Sequence, residues 1–243
     1  MIKMSQTELK NKNCVITGAT GGIGREITKM LAAKGCNLFL ISTDNEKLFQ
    51  LESKIKNLSS VKIFTFATDL SNYENLESAI SKIKESFNSV DILINSAGIF
   101  HIDSLVDSSM QKFENAFNVN VRAPFYLSKM LSSDMVEHNW GRIVNIGSSS
   151  SYSGFDKGSI YCTTKHAILG LSRSLHEELK SKNVRCYCIS PASTKTEMGK
   201  ISIDQNFETF LDPVEVAETV VFVLSFDKNL VINEIKLNRM KIE

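Results

Sequence analysis

Short apolar runs alternate with longer amphipathic segments along this chain, and this alternation constrains its fold more than any other feature. Most of the runs are continuously apolar instead of alternating with polar residues, which is typical of parallel strands covered on both faces. The predicted strands are Asn13–Thr17, Asn37–Ser42, Val61–Ala67, Asp91–Asn95, Arg142–Ile146, Val184–Ser190 and Leu230–Leu237.

The segments between these runs have helical periodicity. Alternation of strands and helices favours right-handed βαβ units, so we expect an α/β fold with a Rossmann-like doubly wound parallel sheet in three α/β/α layers. The predicted helices are Gly24–Lys34, Glu46–Lys56, Glu74–Phe87, Met110–Glu137, Ile160–Lys180 and Pro213–Ser225.

The domain organisation predicted from length and composition is a single domain over residues 1–243. The chain has three prolines and no linker-like stretch that would divide it. The longest segment without a clear element, Thr194–Leu211, is a candidate substrate lid. Its apolar residues could form a wall of the site, with ordinary packing or an oligomer contact as the alternative. They are Met198, Ile201, Ile203, Phe207 and Phe210.

Composition and charge exclude several classes of protein. Hydrophobic residues make up 42% of the chain, charged residues make up 23%, and the formal net charge is +1. No block of like charge favours nucleic acid or an anionic membrane surface. The first twelve residues lack a signal core, and no apolar run reaches the roughly 20 residues of a membrane span, so we expect a cytoplasmic protein.

The five cysteines occur at irregular spacings, and no Cys/His cluster has the spacing of a zinc site. We interpret them as small buried hydrophobic residues in a reducing compartment, and we predict no metal site.

A glycine-rich turn follows the first predicted strand and leads into a helix. Gly18 permits the sharp turn, Gly22 lets the backbone approach a pyrophosphate, and Gly24 allows close packing of helix on strand. The exposed N–H groups at the start of the helix would hold the anion. The spacing and its context indicate nucleotide binding, although a tight turn without a ligand is the alternative for this motif alone.

Further motifs occur in order along most of the chain. Together with the glycine turn they resemble the short-chain dehydrogenase/reductase family, with Ser96 as a departure from its Asn-Asn-Ala-Gly motif. The matching segments are Thr17–Gly24, Asp69–Leu70, Asn95–Gly98, Asn120, Gly141–Ser148 and Tyr161–Lys165.

The resemblance implies a catalytic group of Asn120, Ser148, Tyr161 and Lys165. A ketone that accepts a hydride also needs a proton donor, and Tyr161 can serve, although a free phenol has a pKa of about 10. Lys165 lies four residues later on the same helix face, so its ammonium should lower that pKa and also bond the nicotinamide ribose. Ser148 would donate to the substrate oxygen, and Asn120 would hold a water for proton relay.

The resemblance also implies contacts with a nicotinamide cofactor along the carboxyl ends of the strands. The turn after the sixth strand departs from the family, because Ala192 stands where a glycine is usual. The predicted contact residues are Gly18, Thr20, Gly21, Gly22, Ile23, Gly24, Ser42, Thr43, Asp69, Leu70, Asn95, Ala97, Gly98, Tyr161, Lys165, Pro191, Thr194 and Thr196.

The residues at the end of the second strand favour NADP(H) over NAD(H). NAD binders usually carry an acid there, whereas this chain has Ser42 and Thr43, whose hydroxyls could bond a 2′-phosphate. A basic residue is missing at Thr43, but Arg25 and Lys47 could supply charge. Asp44 lies close by and favours the opposite choice.

We therefore expect an oxidoreductase that moves a hydride between NAD(P)(H) and a ketone or secondary alcohol. The alternatives are a catalytically silent regulatory or scaffold protein of the same fold, and a sugar-nucleotide epimerase or dehydratase. Ile232–Ile235 resembles the hydroxy-acid dehydrogenase branch of the family, but four residues cannot assign a substrate. Family members pair through two long helices, so we expect a homodimer or homotetramer.

Overall fold

Parallel strands form the central sheet of the computed structural model, which describes residues 8–202 and 205–240. Within these residues the strand order is β3-β2-β1-β4-β5-β6-β7, and every pair is parallel. The strands are β1 Asn13–Thr17, β2 Asn37–Ser42, β3 Ile63–Ala67, β4 Ile92–Asn95, β5 Gly141–Ile146, β6 Val184–Pro191 and β7 Glu234–Leu237.

Helices cover both faces of the sheet and confirm the predicted three-layer arrangement. α1, α2 and α7 pack on one face, while α3 and α5 pack on the other, together with α6. The helices are α1 Gly22–Ala33, α2 Asn45–Lys56, α3 Tyr73–Ser86, α4 Met110–Phe117, α5 Ala123–Glu137, α6 Ser159–Leu179 and α7 Pro213–Leu224.

The continuously apolar runs are explained by burial on both faces of the sheet. In β1, Cys14 and Ile16 pack in the cluster beneath α1, and Val15 packs in the opposite cluster with α3 and α5. All three side chains are fully buried. The strand order reverses between β1 and β4, which opens a crevice at the carboxyl ends of these strands.

The prediction of a single continuous helix over Met110–Glu137 is wrong, because an irregular segment interrupts it. Residues Asn118–Arg122 form one π-helical segment between α4 and α5. Pro124 explains the change, because it lacks the N–H that would bond the carbonyl four residues earlier. Pro124 was therefore a signal in the sequence for this irregularity.

The two predicted strands at the edges of the sheet are too long. β3 begins at Ile63, and β7 covers only Glu234–Leu237. Before β7 the backbone is held by a side chain, since the Arg185 guanidinium donates to the Leu230 carbonyl at 2.9 Å. Apolar composition alone cannot distinguish such a segment from a strand.

The candidate lid is a loop closed at its base. A parallel bridge joins Thr194 to Leu211, and the Lys195 N–H donates to the Leu211 carbonyl at 2.8 Å. Phe210 is buried at this base, which corrects its expected place in a wall of the site. Ile203 lies outside the described residues. Among the described helices, none is long and apolar enough to cross a membrane.

Candidate active site

A cleft of about 1650 Å³ opens at the carboxyl ends of the strands. It runs from the end of β2, past the turn between β1 and α1, to the loops that follow β4, β5 and β6. All the residues predicted for the site line this cleft except Asn95 and Asn120. Residues distant in sequence are thus collected in one crevice.

The glycine turn has the close contacts that its sequence predicts. Gly18 has a φ of 64°, and a Cβ there would lie 2.7 Å from the Ala97 nitrogen. A Cβ on Gly24 would collide with the Gly18 carbonyl oxygen. Thr17, which the sequence reasoning did not assign to the site, fixes the neighbouring loop, because its hydroxyl accepts the Ala97 N–H at 3.1 Å.

The turn forms a cradle that suits a phosphate group. The N-cap residue of α1 is Gly21, which has no side chain that could accept a hydrogen bond from the first N–H groups of the helix. The residues that carry these N–H groups line the cleft. Side chains are also absent from Gly21 and Gly22, which keeps the backbone accessible. The residues present therefore fit a dinucleotide cofactor, as the motif predicts.

The loop after β6 lies directly against this cradle. A Cβ on Gly22 would collide with the Thr196 side chain. Thr196 in turn caps its own loop, because its hydroxyl accepts the Gly199 N–H at 3.0 Å. Pro191 ends β6, and Ala192 does not adopt the positive φ that a glycine there would allow.

At the other end of the cleft, hydroxyl groups line the position where an acid would select NAD. The hydroxyls of Thr20 and Ser42 hydrogen-bond each other at 2.5 Å. Asp44 also lines this end of the cleft, where its carboxylate caps α2 through the Lys47 N–H at 3.0 Å and pairs with Lys47 Nζ at 3.0 Å. These contacts with Lys47 lower the pKa of Asp44.

Asp69 and Leu70 form the next part of the cleft wall. Both carboxylate oxygens of Asp69 are bonded within its own turn, where they accept the Ser71 N–H and hydroxyl at 2.8 Å each. Leu70 is buried but still lines the cleft. The predicted contacts from this pair remain predictions.

Ser148, Tyr161 and Lys165 together line the part of the cleft formed by the loop after β5 and by α6. Ser148 follows β5, and its hydroxyl accepts the Ser150 N–H at 3.1 Å. Tyr161 and Lys165 lie one turn apart on α6, with Lys165 Nζ 5.6 Å from the centre of the Tyr161 ring. Lys165 Nζ donates to the Ile146 carbonyl at 2.8 Å, and its side chain is buried.

Burial controls the protonation of this group. It raises the pKa of Tyr161 to about 12, although a hydrogen bond with Ser148 acts in the lowering direction. Burial also lowers the pKa of Lys165 to about 8. The expected lowering of the Tyr161 pKa by Lys165 is therefore wrong for this arrangement, because removal from water disfavours both charged forms.

Asn120 lies behind the cleft, in the π-helical segment. Its Oδ1 accepts the Ile99 N–H at 2.8 Å, and its Nδ2 donates to the Ile99 carbonyl at 2.9 Å and to the Thr164 hydroxyl at 3.1 Å. The side chain thus joins the loop after β4 to α6, which carries Tyr161 and Lys165. Its predicted part in a proton relay remains a prediction.

Asn95 is buried at the end of β4 and does not line the cleft, and its predicted cofactor contact remains a prediction. Its Nδ2 donates to Asn145 Oδ1 at 2.8 Å, and Asn145 Nδ2 donates to the Ser172 hydroxyl at 2.9 Å. These bonds connect β4, β5 and α6 beneath the cleft. Asn95 therefore supports the floor of the site.

The sequence of this chain matches the profile of a known protein family. The profile described as short chain dehydrogenase matches residues 12–206. This protein belongs to the short-chain dehydrogenase family. It is therefore an oxidoreductase of that family, and the resemblance found in its motifs is confirmed.

Individual relatives within the short-chain dehydrogenase family support the same assignment. The 3-oxoacyl-[acyl-carrier-protein] reductase FabG of Aquifex aeolicus is 30% identical over 229 residues, covering 90% of this chain and 92% of the relative. An alcohol dehydrogenase from the archaeon Thermococcus sibiricus, complexed with 5-hydroxy-NADP, has a TM-score of 0.87 at 27% identity, covering 95% of this chain and 97% of its own.

A short chain dehydrogenase from Burkholderia cenocepacia, in complex with NADP, has a TM-score of 0.86 at 26% identity. The match covers 96% of this chain and 98% of that chain. The fold thus agrees with solved members of the family over nearly the whole length.

Two aromatic residues were missed when the site of this short-chain dehydrogenase was predicted from sequence. Phe100 and Phe155 line the cleft on the side of Tyr161. Nothing in the order of residues in the loops after Gly98 and Ser148 shows which rings meet. Only the packing of the two loops brings these rings together.

The cysteines are structural in this member of the family. All five are free and buried, as predicted. Cys186 and Cys188 point to the same face of β6, away from Tyr187 and Ile189. Among residues 8–202 and 205–240, no group of His, Cys, Asp or Glu is arranged to hold a metal ion.

Proposed function

We propose that this protein transfers a hydride between NAD(P)(H) and a ketone or secondary alcohol, with Tyr161 as the acid/base. The observation that carries the proposal is the shared cleft, in which Ser148, Tyr161 and Lys165 lie beside the glycine cradle. When bound, the nicotinamide supplies or accepts the hydride. The protein must then donate one proton to the substrate oxygen, or accept one from it in the reverse direction.

Tyr161 is suited to give that proton at neutral pH. Because its pKa is raised to about 12, the phenol stays protonated and can donate to the oxygen of a ketone as negative charge develops there. Ser148 lies within hydrogen-bonding reach of Tyr161 and can donate to the same oxygen. In the oxidation direction the phenolate accepts the proton, so oxidation should become faster as the pH rises.

Lys165 carries a charge at neutral pH, since its pKa is about 8. We propose that its ammonium bonds the nicotinamide ribose, as the family resemblance implies. Asn120 holds Ile99 and Thr164 in place and so positions α6 against the loop after β4. We propose that it also orients a water that returns a proton to Lys165.

For the cofactor we propose NADP(H) in preference to NAD(H). Asp44 lines the same end of the cleft, but the backbone N–H and the ammonium of Lys47 both bond its carboxylate, which offsets its preference for NAD. Ser42 and Thr43 offer hydroxyls, and Arg25 also lines this end of the cleft. The NADP complexes of the Thermococcus and Burkholderia proteins support this preference.

The test is a panel of ketones and secondary alcohols, followed by the absorbance of the reduced nicotinamide, with both cofactors. We expect Tyr161→Phe to lower kcat by at least 100-fold, in line with the usual contribution of general acid/base catalysis. Undiminished turnover in this variant would refute the mechanism. A larger kcat/KM with NADH than with NADPH would refute the cofactor preference.

If no substrate in the panel reacts while the cofactor still binds, the catalytically silent alternative is supported. We further propose a location in the cytoplasm, because five free and buried cysteines fit a reducing compartment.

A further inference from the structure

Two phenylalanine rings lie beside Tyr161, and we call Phe100 and Phe155 the aromatic wall. The Phe100 ring centre is 4.5 Å from that of Tyr161, in a T-shaped arrangement with an interplanar angle of 68°. The Phe155 ring centre is 6.1 Å from that of Phe100. Edge-to-face contact is a favoured geometry for aromatic pairs, so Phe100 helps to fix the direction of the phenol.

The aromatic wall is available to a ligand. Both of its residues line the cleft, and Phe155 remains 42% exposed although it is one of the larger apolar side chains. The hydrophobic effect disfavours an exposed ring, and a ligand that covers it removes apolar surface from water. The wall thus offers binding energy next to the reacting atoms.

The two loops that carry the wall are fastened together. The Asp103 N–H donates to the Lys157 carbonyl at 3.1 Å, and Lys112 Nζ pairs with the Asp103 carboxylate at 2.7 Å. Lys157 has a φ of 59°, a left-handed conformation that a non-glycine residue keeps only when its surroundings hold it. The wall is therefore preformed.

Gly158 determines where the Phe155 ring lies. A Cβ at residue 158 would be 2.5 Å from Cζ of this ring, and the Gly158 N–H donates to the Phe155 carbonyl at 3.1 Å. Gly158 has a φ of −100°, so alanine can adopt its backbone conformation. Substitution by alanine would consequently displace the ring without removing it.

Charges of both signs line this half of the cleft, since Asp156 and Lys157 directly follow Phe155 there. Lys195 pairs with Glu208 at 3.2 Å, and Lys200 pairs with Glu197 at 2.7 Å. The Arg239 guanidinium lies over Phe210 at the base of the candidate lid, with its carbon 5.2 Å from the ring centre. These contacts favour an uncharged group over an anionic one at the wall.

We propose that the aromatic wall is a subsite for an uncharged aryl substituent on the carbonyl carbon of the substrate. The substrate class is then an aryl ketone, or the corresponding aryl secondary alcohol. This inference rests on the proposed hydride transfer, because the wall is placed relative to Tyr161. Stacking or edge contact with Phe155 would hold the substrate ring while its carbonyl oxygen faces the phenol.

The test compares acetophenone with butan-2-one through the ratio of their kcat/KM values, with reduced cofactor present. We expect wild-type protein to favour acetophenone and Phe155→Ala to lower the ratio about tenfold, a usual effect for a lost apolar contact. Gly158→Ala should lower the ratio in the same direction, and Phe155→Tyr should preserve it.

Phe222→Ala is the matched control. Phe222 is also 42% exposed and also has an aromatic neighbour, but it lies on α7 and does not line the cleft. We expect this variant to keep the wild-type ratio. A ratio that falls equally in Phe222→Ala and Phe155→Ala would overturn the subsite.

A binding measurement separates this inference from the proposed reaction. Saturation-transfer NMR with acetophenone should show contact to the protein in Tyr161→Phe, and the signal should weaken when Phe155→Ala is added. If acetophenone binds in this way but the wild-type protein turns over no ketone, the proposed reaction is refuted and the subsite is supported. If ketones are turned over but Phe155→Ala leaves the ratio of kcat/KM values unchanged, the subsite is refuted and the proposed reaction is supported.

Discussion

Lys165 illustrates at the scale of one residue how function opposes stability. The proposed mechanism uses its ammonium beside Tyr161, but its side chain is only 6% exposed and its pKa is lowered to about 8. The unfolded chain would hold that proton up to a pH of about 10.4. The native state is therefore destabilised by keeping the charge at neutral pH.

We expect Lys165→Met to raise the free energy of unfolding by roughly 2 kcal/mol at pH 7, net of the lost bond to the Ile146 carbonyl. Between pH 8 and about 10.4 the unfolded state binds more protons than the native state, so wild-type stability rises with pH. The advantage of the variant should shrink across that window. Urea unfolding at several pH values measures this change.

The exposed Lys129 on α5 provides the control. Lys129→Met should change stability by less than about 0.5 kcal/mol at any of these pH values. An advantage of Lys165→Met that does not vary with pH would contradict the assigned burial of charge.

At the scale of elements, the site depends on close contact between the start of α1 and the loop after β6. Gly22 and Thr196 meet there, and a methyl group at residue 22 would overlap the threonine side chain. Two segments more than 170 residues apart in the chain thus share one packing constraint.

We expect Gly22→Ala to lower the free energy of unfolding by about 1–3 kcal/mol, the usual cost of overpacking. In a Thr196→Gly background the same change should cost markedly less, because the colliding side chain is gone. Chemical denaturation of the four proteins in this double-mutant cycle gives the coupling energy.

Gly170→Ala is the matched control, since a Cβ on this glycine in α6 meets no atom within 4 Å. Helix propensity alone should then stabilise the protein by roughly 0.5–1 kcal/mol. Equal costs of Gly22→Ala in both backgrounds would show that the two segments do not touch in solution.

At the scale of the whole molecule, we propose a homo-oligomer formed through the region of α4, α5 and α6. Phe125 on α5 is 51% exposed, and Met110 on α4 is 67% exposed. A depression of about 280 Å³ lies between these helices, lined in part by Phe125, Val121 and Leu171. Exposed apolar surface of this kind is typical of subunit contacts.

Light scattering should therefore give a mass that is a multiple of 27.1 kDa. Phe125→Arg should shift the protein toward monomer, because a buried unpaired charge disfavours the contact. Phe49→Arg, at a residue 68% exposed on α2, should leave the mass unchanged. A single species of about 27 kDa for wild-type protein would contradict the proposal.

The sequence by itself determined the fold class, the glycine turn and the position of Tyr161 and Lys165 on one helix face. These features follow from periodicity, from glycines that only a tight turn requires, and from spacing along a helix. Even the π-helical segment that carries Asn120 had a local signal in Pro124.

Only the tertiary structure decided what the environment does to these residues. Burial, and not the charge of Lys165, sets the pKa of Tyr161, and bonding to Asn145 withdraws Asn95 into the sheet. The meeting of Phe100 and Phe155 also depends on two loops more than 50 residues apart. Desolvation and contact between distant segments are properties of the packed chain, so no local pattern in the sequence encodes them.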